Sequence, residues 1–289
     1  VISTRRLQAN GLNFAVDVAG EGDTVALCLH GFPEARQAWS EQLPALAELG
    51  WTAAAPDMRG YGDSDRPPGR EAYQLDHLVA DVEALFEALG ARRRVLIAHD
   101  WGGIIAWQVA IRRPDLLDGL VILNAPHPSV YRREYERSWK QKLASWYVLF
   151  FQLPGLPELQ MAAKGGRGLE RALTGSSHNF PPERLALYKR NITKPGAATA
   201  MINYYRANAM ELGNGPLPTG KITTPTLMIW GEGDPFLDLK LTEGNEAHVA
   251  DFTLNRLPGV SHWVQEDASP EVNRVIGVWA RAKRLVGRA

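Results

Sequence analysis

Cysteine is almost missing from this chain: among 289 residues there is one, Cys28. No intrachain disulfide can form. Cys28 sits in the apolar stretch Val25-Ala26-Leu27-Cys28-Leu29 and reads as a small buried hydrophobe. Excess charge of one sign is missing too, because 32 Lys and Arg balance 32 Asp and Glu. Nucleic-acid proteins usually carry a basic excess or stripe, so no nucleic-acid partner is expected. The densest basic cluster, Arg92-Arg93-Arg94, leads into an apolar run and reads as a solvated loop. No apolar run reaches the ~18 residues of a membrane helix, and the N-terminus has no apolar signal core. No membrane span is expected, and the cytoplasm is the expected location. Repeats, low-complexity segments and metal-site spacings are also lacking. What remains is a globular balance, 45% hydrophobic and 22% charged, unlike a disordered chain or a coiled coil. Aromatics are plentiful, with nine Trp and eight Tyr, enough to fill a core and line a pocket for an apolar ligand.

Short β-rich runs alternate with helical patterns. Asn10-Gly11 marks a hairpin within Leu7 to Ala19. Strands are expected at 25–29, 52–55, 95–98 and 120–123, with helices at 75–89 and 102–112. This alternation implies a mostly parallel sheet with helices on both faces. After Asn124-Ala125-Pro126 the rhythm breaks, and helical patterns continue without a convincing strand. Strands return at 226–230 and 253–254, and a last helix runs over 270–284. The chain therefore divides into an α/β core, 1–126 and 214–289, and an inserted helical cap, 127–213. Such an insertion covers the C-terminal sheet edge, where sites in open α/β folds lie.

The segment Val95 to Gly103 runs from a buried strand into a helix through Ala98-His99-Asp100-Trp101-Gly102. This is the small-x-nucleophile-x-Gly pattern of a strained turn with no room for bulk on either side. Asp100 stands at the nucleophile position, which disfavours serine chemistry. A helix N-terminus favours its ionised form, and a carboxylate attacking an sp³ carbon gives an ester that must then be hydrolysed. The alternative is that Asp100 is only a helix N-cap.

His30-Gly31-Phe32-Pro33-Glu34 follows the strand ending at Leu29. Its loop can aim the Phe32 N–H at the same point as the Trp101 N–H, forming an oxyanion hole. Pro33 cannot donate, and its preceding bond is a candidate cis peptide. Trp230-Gly231-Glu232-Gly233-Asp234-Pro235 puts Asp234 on a loop at the sheet edge, and Gly259-Val260-Ser261-His262-Trp263 does the same for His262. Nucleophile, acid and histidine then follow in a known triad order. Position 124 could have carried the acid but holds Asn124, so Asp234 is chosen over Asp238 and Glu232. His30 and His99 read as structural, with His99 pointing away from Asp100. His77, His127 and His248 read as structural or exposed, and His178 as a candidate pocket residue.

These residues resemble the α/β-hydrolase superfamily and, within it, the soluble epoxide hydrolases. The likeness spans nearly the whole chain and includes Asp57-Met58-Arg59-Gly60-Tyr61-Gly62-Asp63-Ser64, read as a structural loop. The resemblance implies an α/β-hydrolase fold and epoxide hydrolysis without a cofactor. It implies two cap tyrosines that hold the epoxide oxygen and give it a proton. Trp146 to Gly155 resembles the first tyrosine motif and points to Tyr147. Asn203-Tyr204-Tyr205-Arg206 resembles the second and points to Tyr205. Helical spacing agrees: Tyr131, Tyr135, Trp139, Leu143 and Tyr147 form a stripe, and Ala198, Met201, Ile202, Tyr205 and Ala209 share an apolar face that Tyr204 and Arg206 leave.

The expected catalytic set is Asp100, Asp234, His262, Tyr147 and Tyr205. The substrate, a small apolar epoxide, would touch Phe32, Trp101 and the two tyrosines. Haloalkane dehalogenases look similar, but Phe32 replaces the Asn that commonly donates to halide there, and Trp101 and Ile104 argue against an acidic substrate. A dehalogenase or other ester hydrolase, and a silent protein binding a hydrophobic ligand, remain the alternatives. Both a monomer and a homodimer remain open.

Overall fold

The computed structural model describes residues 1–177, 179–217 and 219–286. One eight-stranded sheet organises them: β1 (Ser3–Ala9), β2 (Leu12–Ala19), β3 (Thr24–Leu29), β4 (Thr52–Pro56), β5 (Arg93–His99), β6 (Gly119–Leu123), β7 (Thr226–Gly231) and β8 (Phe252–Leu257), in the spatial order β1-β2-β4-β3-β5-β6-β7-β8. β1 and β2 are an antiparallel hairpin whose turn residues Asn10 and Gly11 both take left-handed φ, 45° and 73°, as a two-residue hairpin turn requires. β2 is antiparallel to β4, and the rest of the sheet is parallel. Arg93 and Arg94 already pair with Thr24 and Val25, so two of the three arginines read as a loop belong to β5. Pairing with a central strand extended the element past its apolar residues.

Helices α1 (Gln42–Ala47), α2 (Leu75–Ala88) and α3 (Trp101–Arg112) lie within the first half of the core. The central strands are apolar at nearly every position because both faces are covered. Along β5, Leu96 and Ala98 pack with α2 and α3, whereas Val95 and Ile97 pack with α1 and the C-terminal helix described below. Cys28 is fully buried on the second face.

Between β6 and β7 come only helices: α4 (Pro128–Arg137), α5 (Trp139–Ala144), α6 (Trp146–Phe150), α7 (Leu156–Ser176), α8 (Pro182–Ile192) and α9 (Ala197–Asn214). α7 is broken at Ala163 to Gly166, where Lys164 has φ 52°. After β8 follow α10 (Val264–Asp267) and α11 (Ser269–Ala282), which closes the second core face. This is the α/β-hydrolase fold with an inserted helical cap. Among the described residues no helix is long and apolar enough to cross a membrane.

Two helical expectations in the cap fail. The stripe from Tyr131 to Tyr147 does not lie on one helix. Ser138 caps α5 by accepting the Gln141 N–H, and a further break falls at Ser145, so Trp139 and Leu143 end up 77% and 70% exposed. Tyr204 does not leave the buried side of α9. It is fully buried, and its hydroxyl donates to the Arg59 carbonyl at 2.9 Å, because the core loop supplies an acceptor on that flank.

Candidate active site

Asp100 joins β5 to α3 at φ 49° and ψ −117°, a strained conformation for a residue with a side chain. The strain is imposed by close packing. A Cβ on Gly102 would lie 2.4 Å from the Leu29 carbonyl oxygen, and one on Gly31 would lie 2.5 Å from the Asp100 Cβ. The carboxylate makes no capping bond to α3. Instead Oδ1 accepts the Phe32 N–H at 2.8 Å, and Oδ2 lies 3.6 Å from His262 Nε2. The N-cap reading is thereby set aside. Trp101 opens α3, so its N–H belongs to the turn whose amides lack intrahelical partners. The Phe32-Pro33 peptide is cis.

His262 follows β8, with Nδ1 2.6 Å from Asp234 Oδ2. Asp234 is itself held on every side. Oδ1 accepts the Phe236 and Leu237 N–H groups at 2.7 and 3.0 Å, and Oδ2 accepts Asn124 Nδ2 at 2.7 Å. Asn124 sits after β6 at φ 41° and also accepts the Gly231 N–H at 2.9 Å. The position that could have carried the acid therefore holds the acid in place. Glu232 is exposed, and Asp238 is engaged with Lys140 and the Lys240 N–H. Neither enters the site.

The electrostatics follow from this geometry. Burial works against ionising Asp100, but the nearby His262, the charge of His99 and the Phe32 N–H outweigh it and hold the carboxyl below its ordinary value. Burial disfavours a charged His262, yet the Asp234 charge and hydrogen bond and the nearby Asp100 carboxylate prevail, pushing its pKa up to about 10.

A second buried network lies beneath. Glu34 is fully buried and accepts the Gly31 N–H at 2.9 Å and Gln265 Nε2 at 2.7 Å, and it lies 2.9 Å from His99 Nδ1. His99 Nε2 donates to the His262 carbonyl at 2.9 Å, so its ring points away from Asp100. Burial raises the Glu34 carboxyl, but the charge and hydrogen bond of His99 bring it below its ordinary value. His30 Nε2 accepts the Met58 N–H, and His127 stacks on His248 with centroids 4.3 Å apart. His77 is exposed, and His178 lies outside the described residues. Asp57 binds the Arg36 and Asp63 N–H groups, and Ser64 bridges to β2, as a structural loop should.

The cap brings its aromatics over the elbow. The Tyr205 ring stands edge-on to Trp101 at 5.0 Å and to Phe32 at 5.4 Å, with Phe151 at 4.8 Å. The Tyr147 ring lies 6.0 Å from Tyr205 and 6.0 Å from Phe236, which is 5.3 Å from His262. Burial and the Asp100 charge raise both phenols well above their ordinary value, so both keep their protons. Arg206 clamps the end of this aromatic wall by donating to the Phe151 carbonyl at 2.8 Å and pairing with Glu158. Among the described residues no group of three or more His, Cys, Asp or Glu side chains is arranged to hold a metal ion.

An aspartate on a strained elbow, backed by an Asp–His pair and covered by a helical cap, defines a class. The alpha/beta hydrolase fold family profile matches residues 25–269, and the chain belongs to that family. Epoxide hydrolase 4 of Mus musculus is 37% identical, with 98% of this chain and 80% of the relative covered. Epoxide hydrolase 2 of Caenorhabditis elegans is also 37% identical, over 91% of this chain and 75% of that one. The crystal structure of a Bacillus megaterium epoxide hydrolase in complex with an inhibitor superposes with a TM-score of 0.87 at 30% identity, covering 96% of this chain and all of that one. Within the α/β hydrolases, the chain belongs to the epoxide hydrolase family.

Proposed function

We propose that this chain hydrolyses epoxides to vicinal diols through an ester on Asp100, with residues 127–213 as the cap and 1–126 and 214–289 as the core. The observation that carries this reading is the Asp100 carboxylate, held by the Phe32 N–H, within reach of His262 and beneath two protonated tyrosines.

Tyr147 and Tyr205 hydrogen-bond the epoxide oxygen. Asp100 attacks a ring carbon, the C–O bond breaks, and one tyrosine gives its proton to the departing alkoxide. The product is a hydroxyalkyl ester. Its formation removes the Asp100 charge, one of the causes that keep His262 protonated. The imidazolium then returns a proton to the tyrosinate and becomes a neutral base, oriented by Asp234. It takes a proton from water, whose oxygen attacks the ester carbonyl carbon. The Phe32 and Trp101 N–H groups stabilise the oxyanion, each donor contributing about 3 kcal/mol. Collapse releases the diol as His262 protonates the leaving oxygen, and the proton of the regenerated carboxyl returns to the imidazole. Water is the only co-substrate, and no cofactor enters.

The walls around the reacting atoms, Phe32, Trp101, Phe151 and Phe236, favour a small apolar epoxide. Phe32 adds no side-chain donor for a halide.

The test is one turnover of styrene oxide in heavy-oxygen water with enzyme in excess. Heavy oxygen in Asp100 and none in the first diol is the expected result. Heavy oxygen in that diol with Asp100 unlabelled would overturn the ester route.

A further inference from the structure

The cap also reaches the loop that carries the histidine. Asp267, at the end of α10, accepts the Ser177 hydroxyl at 2.7 Å through Oδ1 and the Ser261 hydroxyl through Oδ2. Ser261 in turn accepts the Trp263 N–H at 3.1 Å. The Ser261 bonds therefore straddle His262. A second bond follows the same seam: the Trp263 indole donates to Ser176 Oγ at 2.9 Å. Ser176 and Ser177 end α7, and both Ser177 and Trp263 are buried. Four residues past the histidine, Glu266 accepts the Tyr188 hydroxyl at 2.9 Å and pairs with Arg184 at 2.8 Å, both from α8. From the core side, His99 holds the His262 carbonyl.

We propose that Asp267 is a positioning residue for His262, and that through Ser177 it makes the cap part of the frame for the hydrolytic step. This rests on the Asp100 ester reading. Asp267 touches no reacting atom. It ties the residue before His262 to the cap, and through Ser261 it holds the residue after it. Loss of that tie lets the imidazole drift from the line between Asp234 and the attacking water, and a displacement near one ångström costs up to ~100-fold in rate. Asp100 follows β5 and its Phe32 contact follows β3, and Asp267 bonds to neither segment, so ester formation is spared. The signature is a change in the ratio of two steps, which loss of stability alone does not produce.

The experiment is single-turnover quench of styrene oxide, following the protein-bound ester by mass and the diol by chromatography, for wild type and for Asp267→Ala, Asp267→Asn and Ser177→Ala. Ester formation is expected within about twofold of wild type in all three, whereas ester hydrolysis falls about tenfold in Asp267→Ala. The ester then accumulates. Asp267→Asn keeps an acceptor for one serine and recovers part of the rate. Ser177→Ala, which cuts only the cap side, shows the same pattern more weakly, and it preserves the test if Asp267→Ala does not fold. Both steps slowed equally, or neither, would overturn the role of Asp267. A wild-type enzyme that forms diol with no ester would instead overturn the covalent reading itself.

Discussion

His262 Nε2 lies 3.6 Å from Asp100 Oδ2 while its Nδ1 holds Asp234 at 2.6 Å. One imidazole between two carboxylates is held as imidazolium, and it becomes a base only when one carboxylate loses its charge. Forming an ester on Asp100 does that. The geometry thus couples the order of the two chemical steps to the charge state of a single side chain.

This coupling predicts a pH dependence with a definite sign. His262 has its pKa raised to about 10 in the fold, against about 6.5 in an unfolded chain. Its contribution to stability is therefore fully present below pH ~6.5 and is lost as pH rises through about 10. Melting temperature measured across that window should fall more steeply for wild type than for His262→Gln. In Asp100→Asn the imidazole should titrate lower, as read by its NMR shifts. An unchanged titration would mean Asp100 does not sense the ring.

His262→Gln should still open the epoxide but leave the ester standing, with hydrolysis reduced at least ~100-fold. Intact-protein mass should rise by the mass of the substrate. Asp100→Asn should show no adduct and no diol. An unmodified, folded His262→Gln protein that binds substrate would count against the ester.

Replacing Tyr147 or Tyr205 by Phe should slow ring opening by ~10- to 100-fold, and replacing both should lower it further. Hydrolysis of an ester already formed should be unaffected. If the double variant opens epoxides at the wild-type rate, the tyrosines do not supply the proton.

Glu34→Ala should destabilise the protein by about 3–5 kcal/mol, the usual cost of stranding a buried partner. His99 and the Gln265 amide would lose their shared acceptor. Urea unfolding measures it, and a midpoint unchanged from wild type would show that the network is dispensable.

Several features were legible in the sequence because their causes are local. Asn10-Gly11 takes the left-handed pair of a hairpin turn whatever lies around it. Ala98, Asp100 and Gly102 mark an elbow because the crowding that requires small neighbours arises where the strand meets the helix. The motif resemblance points to Tyr205 over Tyr204, but the helical face does not separate them. Both rings are buried, and Tyr204 spends its hydroxyl on the Arg59 carbonyl.

Other features follow from contacts between residues distant in the chain. Asn124 was noted only for not being an acid, yet it grips Asp234 from 110 residues away. Glu34 stands in the sequence as part of a motif, but the partners that give it a task, His99 at the end of β5 and Gln265 in α10, come from distant parts of the chain. The cap stripe failed because Ser138 ends one helix and caps the next, a choice of local hydrogen bond over continued periodicity.

The amino-acid sequence by itself determined the order of elements, the elbow with Asp100, the chain order of acid and histidine, and the family they belong to. Each of these rests on backbone propensity or on a pattern of neighbouring residues. Only the tertiary structure decided how the Asp234 carboxylate is held, which charges surround His262, and that the end of α7 and residues of α8 bond to the segment that follows the histidine. Charges and hydrogen bonds act through space, over a few ångströms, and sheet order and cap docking alone set which residues come within that range.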